Sequence, residues 1–265
     1  MRLDTIDFYY FSGTGNTLLV VKKMQEVFEQ HGSSVHLYRM ETTDPNTIIV
    51  QHAIGLGFPV AEQGTYPFVW DFIRSLPASN GTPIFMVDTL MAFSGGIVGP
   101  LKKILTQKGY NPIGAKEIMM PNNLFPKKAH DAKNETKVKR GLDQAAHYTN
   151  AIVDGRSSWR RVPILSDFMG IFSQAPWAWN FLRKGYHLEV DRGKCVKCGL
   201  CAKLCPVENI ELNEYPEYKD ACVICMRCVS FCPKQAIYAS KVHFSAKSEY
   251  TPYRAVKASE LLQSE

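Results

Sequence analysis

The chain has 265 residues, 45% of them hydrophobic, and a formal net charge of +6. That length and apolar content support a buried core and leave room for two domains. The charge is modest and comes with no helix-turn-helix, finger or RNA-recognition motif, which argues against a nucleic-acid binder. Eight cysteines are confined to Cys195–Cys232 and Met1-Arg2-Leu3-Asp4 starts no signal peptide, so a reducing cytoplasm is the expected compartment.

Ile6-Asp7-Phe8-Tyr9-Tyr10-Phe11 is β-branched and aromatic and predicts a first strand. It runs into Ser12-Gly13-Thr14-Gly15-Asn16-Thr17, and a helix follows with Val20, Val21, Met24, Val27 and Phe28 on one side, ending at Gly32. Backbone amides and the hydroxyls of Ser12, Thr14 and Thr17 can surround a phosphate at the positive end of that helix. The loop holds no Lys or Arg. A Walker loop needs GxxxxGK[ST], and a dinucleotide fingerprint needs a third glycine where Leu18 stands, so neither fits.

Four more strands are expected: Val35–Tyr38, one ending at Ile54–Gly57, Ile84–Val87 and Ile113–Met120. Helices are expected near Phe68–Leu76, before Lys108, and over the polar stretch Asp131–Val153. Strands alternating with helices imply an α/β fold, a doubly wound parallel sheet with helices on both faces. The order 2-1-3-4-5 would put the loops after strands one and three beside the switch point, where ligands bind.

SGTGNT resembles the phosphate loop of the flavodoxins, which holds the phosphate of FMN with hydroxyls and amides alone. The resemblance implies a flavodoxin-like sheet and FMN held by Ser12, Gly13, Thr14, Gly15, Asn16 and Thr17. In flavodoxin-like proteins the loops after strands three and four flank the flavin ring. Here they are Gly57 to Gly64 and Thr89 to Gly96, which makes Phe58, Pro59 and Phe93 candidate ring neighbours, with ordinary core as the alternative for both phenylalanines, and puts the amides of Gly95 and Gly96 near its polar edge. Asn122 follows strand five and is expected to reach the flavin or close its pocket, with a turn as its alternative role.

Lys127 to Arg140 carries six basic and two acidic residues, a solvated helix face or a docking patch for an acidic redox partner. Val162 to Leu182 has one charge, Asp167, and holds Trp177 and Trp179. Pro163 and Pro176 argue against a spanning helix. A buried plug between two domains is expected there in preference to a helix on a membrane surface.

The cysteines form two copies of CxxCxxCxxxCP: Cys195, Cys198, Cys201 and Cys205, then Cys222, Cys225, Cys228 and Cys232. The copies are 27 residues apart throughout, an internal repeat. Three thiolates at this spacing wrap one iron–sulfur cube and the fourth points to another. The sets are therefore expected to cross, as Cys195, Cys198, Cys201 and Cys232 for one cluster and Cys222, Cys225, Cys228 and Cys205 for the other. Structural zinc has no use for the third CxxC-spaced cysteine and the CP of each copy. Disulfides need an oxidising compartment.

Residues 186 to 240 resemble the two-cluster bacterial ferredoxins, which implies two 4Fe-4S clusters in a smaller α+β domain. The phosphate loop, the FPV, YP and MPNN segments and the double cysteine motif together resemble the flavodoxin–ferredoxin fusion proteins of the EFR1 type, found in anaerobic prokaryotes. The expected organisation is a flavodoxin-like domain at 1–155, an aromatic segment at 156–185, a ferredoxin-like domain at 186–240 and a tail at 241–265. The expected activity is electron transfer between the clusters and FMN. Its partner is a redox protein acting as donor or acceptor, with a small-molecule acceptor if the chain is an oxidoreductase and none if it is a pure carrier.

Overall fold

The computed structural model describes residues 3–92, 95–122, 132–159, 174–239 and 255–262. The chain divides into two compact units, one of residues 1–12, 16–120 and 136–175, the other of 13–15, 121–135 and 176–265. The segment expected to separate two domains is thus shared between them.

In the first unit β1 (Thr5–Tyr10), β2 (Ser34–Arg39), β3 (Ala53–Pro59), β4 (Pro83–Leu90) and β5 (Asn111–Met119) form one parallel sheet in the order β2-β1-β3-β4-β5. This is the doubly wound, flavodoxin-like order. Helices α1 (Asn16–Gln30), α2 (Pro67–Ser75), α3 (Val98–Gln107) and α4 (Ala132–Val153) follow β1, β3, β4 and β5. The chain leaves β1 for one neighbour and returns for the other, so the switch point lies between β1 and β3.

Adjacent residues of a strand face opposite sides, and aromatic contacts show which helix covers which side. Phe8 meets Phe85 edge-on at 5.3 Å, and Phe85 meets Phe28 of α1 at 5.4 Å. On the other face Tyr9 lies 5.6 Å from Phe72 of α2. Gly55 makes room for the first cluster of rings, because a Cβ there would come within 2.7 Å of Phe8 and 2.8 Å of Phe85. Pro112 has no N–H to give the ladder, and the register between β4 and β5 slips at that point, where Ile84 pairs with Pro112 and Phe85 with Gly114. The outer strand β5 is covered by the chain beyond α4. Ala115 N–H donates to the Ser158 carbonyl, Ser157 Oγ donates to Ile113, and the indole of Trp159 donates to Val98.

The second unit contains α5 (Pro176–Gly185), two antiparallel pairs, β6 (Leu188–Val190) with β9 (Ile237–Ala239) and β7 (Ile210–Leu212) with β8 (Pro216–Tyr218), and the one-turn helices α6 (Leu200–Lys203) and α7 (Arg227–Ser230). α5 carries both tryptophans of the expected plug. It buries Trp179 but leaves Trp177 61% and Phe181 76% exposed, because residues four apart share a face that lies opposite Trp179. Residues 160–173 of the expected plug lie outside the described residues. Among the described residues no helix is long and apolar enough to cross a membrane.

Asp88 of β4 is fully buried, and neither carboxylate oxygen has a hydrogen-bond partner. Burial, with a smaller push from Glu117 on the neighbouring strand, raises its pKa well above the usual carboxylate range. A raised folded pKa adds stability below the unfolded pKa, near 4, and that stability is lost as pH rises towards the folded value. Asp88→Leu should therefore melt above the parent by a margin that widens as pH increases from about 4. Thermal denaturation across pH checks this, and a margin independent of pH would show that the carboxyl is not held neutral.

Candidate functional site

Four cysteines surround each of two hollows in the second unit. One hollow is lined by Cys195, Cys198, Cys201 and Cys232, with Pro216 and Ile237 among its walls. The other is lined by Cys205, Cys222, Cys225 and Cys228, with Tyr218 and Ile210. The fourth cysteine of each copy faces the hollow of the other copy. None of the eight is in a disulfide.

The backbone repeats with the sequence. Left-handed residues come in pairs 27 apart: Lys197 and Ile224 both at φ 56°, Gly199 at 72° and Met226 at 64°, Glu208 at 50° and Gln235 at 49°. A β-branched residue such as Ile224 adopts this region only at a cost of about 1–2 kcal/mol. Strain of this kind is characteristic of backbone wrapped around a ligand. Amide-to-sulfur bonds repeat at the same interval, from Asn209 N–H to Cys205 Sγ and from Ala236 N–H to Cys232 Sγ, each 3.2 Å.

The cysteines are also the core of this unit. Cys201, Ile210, Val229 and Ile237 are buried together, with Cys205, Cys228, Cys232, Leu188 and Tyr218 packed against them. Burial pushes the Cys201 thiol up to about 11 and the Cys225 thiol up to about 12, the latter against the pull of Arg227, and drives Cys228 well above its ordinary value. Thiolates are therefore costly here until cationic iron balances them, and loading must release protons. The Tyr218 hydroxyl is buried beside the second hollow without a partner, and burial raises its pKa. Convergent thiols and an orphaned O–H donor fit an iron–sulfur cluster, whose iron takes thiolate and whose sulfide accepts hydrogen bonds.

The phosphate loop joins β1 to α1. Ser12 is fully buried and its Oγ accepts from Leu18 N–H at 3.3 Å, while Thr17 and Thr89 hydroxyls bond at 2.8 Å. Thr14 and Asn16 are buried as well. Gly15 has φ 106°, and a Cβ there would sit 2.6 Å from Val256 Cγ2, a residue of the same compact unit. Buried hydroxyls and no cation at the start of a 15-residue helix fit a phosphate ester.

The expected ring contacts fare differently. Phe58 is fully enclosed, in register with Asp88, so of its two expected roles it takes that of a core residue. Pro59 and Asn122 are partly exposed, and Phe93 lies outside the described residues. Gly95 and Gly96 both donate to the Gln63 carbonyl, at 3.4 and 2.7 Å, so their amides bind protein where the flavin edge was expected. The acceptor belongs to a turn the sequence does not announce. Ala61 and Gly64 exchange two backbone bonds of 2.9 Å around Glu62 and Gln63, both at positive φ, in a position that usually calls for Gly or Asn. That turn ties the loop after β3 to the loop after β4.

The 4Fe-4S binding domain family matches residues 188–211, which include Cys195, Cys198, Cys201 and Cys205. A parallel sheet in flavodoxin-like order and a match to the 4Fe-4S binding domain family occur in one chain. Solved structures similar to it include the two-electron reduced flavodoxin of Megasphaera elsdenii, 22% identical over 54% of this chain and 98% of that one, with a TM-score of 0.40. Flavodoxin 2 of Bacillus cereus is 16% identical over 57% of this chain and 98% of its own, with a TM-score of 0.45. The flavodoxin of Streptococcus pneumoniae TIGR4 is 14% identical over 56% and 98%, with a TM-score of 0.42. No curated protein matches the chain.

Because the ligands form the core of so small a unit, iron and the fold should be lost together. Chelating iron from the loaded protein should abolish hydrogen-exchange protection at Ile210–Leu212 and Ile237–Ala239 while β1, β3 and β4 keep theirs. Unchanged protection in both regions would mean that the second unit holds its shape without metal.

Proposed function

We propose that this chain is an electron-transfer protein that holds two 4Fe-4S clusters and FMN and passes electrons between them. The observation that carries the reading is the pair of crossed cysteine rings, repeated in backbone conformation at an interval of 27 residues. Bound clusters carry single electrons and bound flavin takes two, so the chemistry supplied is conversion between one- and two-electron steps.

The chain's own residues bind and tune. Cys195, Cys198, Cys201 and Cys232 would hold one cluster, and Cys205, Cys222, Cys225 and Cys228 the other. Asn209 and Ala236 N–H donate to the two crossing sulfurs, which stabilises their negative charge. The apolar residues around the rings limit water access and so help set potential. Ser12, Thr14, Asn16 and Thr17 would hold the phosphate of FMN through hydroxyls, side-chain amide and helix N–H groups. The two-electron end acts on a small molecule or a bound cofactor, which makes the chain an oxidoreductase.

A second reading, a carrier serving only protein partners, draws on Lys133, Lys137, Lys139 and Arg140, which are all exposed along the start of α4. The rest of that basic run, residues 127–131, lies outside the described residues. Glu substitutions at the four exposed positions should abolish reduction by a protein donor in the carrier case and leave small-acceptor turnover unchanged in the enzyme case.

Crossing gives the direct test of the main reading. In anaerobically reconstituted protein, Cys205→Ser should alter the electron paramagnetic resonance of the cluster bound by Cys222, Cys225 and Cys228, and Cys232→Ser that of the other. Loss confined to the cluster of the same copy would refute the crossed sets.

A further inference from the structure

The two copies are alike in backbone and unlike in charge. Position 200 of the first copy is leucine, and its counterpart 27 residues on is Arg227. Arg227 is 2% exposed, an unusual state for a guanidinium. It stands between Cys225 and Cys228 in sequence and lines the second hollow. Its Nη1 donates to the Leu204 carbonyl at 3.2 Å, and Leu204 directly precedes Cys205, the cysteine that crosses into this hollow from the other copy. One side chain therefore ties the loop of Cys225 and Cys228 to the approach of the fourth cysteine. A second guanidinium, Arg183, donates from Nε to the Cys222 carbonyl at 2.9 Å.

The first hollow has cations too, but of another kind. Lys197 and Lys234 line it. Lys197 is 48% exposed and paired with Glu214 at 3.2 Å, and Lys234 is exposed. Charges in water are screened, whereas a buried charge acts through a low dielectric and keeps its reach in salt. The counterparts of Lys197 and Lys234 at the second hollow are Ile224 and Val207, so there the fixed charge comes from arginine.

We propose that Arg227 is a positioning residue that raises the reduction potential of the cluster at the second site and holds the crossing ligand in place. Reduction adds one electron, and one negative charge, to the cluster and its thiolates. A buried cation favours that reduced state over the oxidised one, and burial alone would do the reverse. The inference rests on the two-cluster reading.

The test is a redox titration of anaerobically reconstituted full-length protein, followed by electron paramagnetic resonance, with iron and flavin measured on each sample. Arg227→Gln should lower one cluster potential by roughly tenfold in its reduction equilibrium, about 59 mV for one electron, and leave the other in place. Arg227→Lys keeps the charge and should move it less. Lys234→Gln should shift the first cluster only weakly, and less still in high salt. Leu200→Arg, which installs the charge at the matching position of the first copy, should raise the other potential, so the idea stays testable even where Arg227→Gln fails to load. About eight irons in Arg227→Gln with neither potential moved, or no rise in Leu200→Arg, would overturn the role of Arg227 and leave the two-cluster reading standing. Wild-type protein that takes up no more than about four irons would instead remove the two-cluster reading itself.

Discussion

Eight thiols gathered in the middle of a small unit are a poor core on their own. Buried thiols that must ionise to work repel one another and lose their water, and the raised values of Cys201, Cys225 and Cys228 express that cost. The surrounding chain is arranged to lower it. Amides turn toward sulfur at Cys205 and Cys232, left-handed residues at 197, 199, 224 and 226 bend the loops around the hollows, and Arg227 brings a positive charge inside. The unit's β-pairs, of three residues each, are too short to be stable by themselves.

The parallel sheet solves a different problem with different means. Its inner strands β1, β3 and β4 are buried on both faces, so rings and branched side chains suffice, and glycine at 55 appears where two phenylalanines need the space. Polar groups gather at the carboxyl ends, where the Thr17 and Thr89 hydroxyls bond to each other and Ser12 Oγ accepts from Leu18 N–H. Neutral donors at a helix N-terminus can accept a phosphate ester without a counter-charge. Asp88 lies buried inside the sheet with no hydrogen-bond partner on either carboxyl oxygen, where an apolar residue would cost less.

Much of this was legible in the chain itself. Runs such as Ile6–Phe11 and Ile84–Val87 have no reading but buried strands, and the rules of parallel connection leave few orders for five of them. The cysteine spacing was enough to group the eight thiols into the two sets of four that line the hollows. What escaped depends on contacts between distant residues. Glu62 and Gln63 carry no turn signature, yet the bond from Gly96 to Gln63 holds them at positive φ. Phe58 stands near the end of β3, next to a loop expected to flank a flavin, but packing encloses it. Arg227 looks like any surface arginine until the fold closes over it. The packing of Val256 against Gly15 joins residues some 240 positions apart, which no local pattern encodes.

The claim at the centre of this account is that one chain stores electrons in three places. An anaerobic titration with dithionite, counting reducing equivalents per chain as flavin and cluster absorbance bleach, measures that directly. Two one-electron clusters and one two-electron flavin predict about four electrons per chain. An end point near three would leave a single cluster with the flavin, and one near two would leave either clusters without flavin or flavin without clusters; each of these contradicts the account.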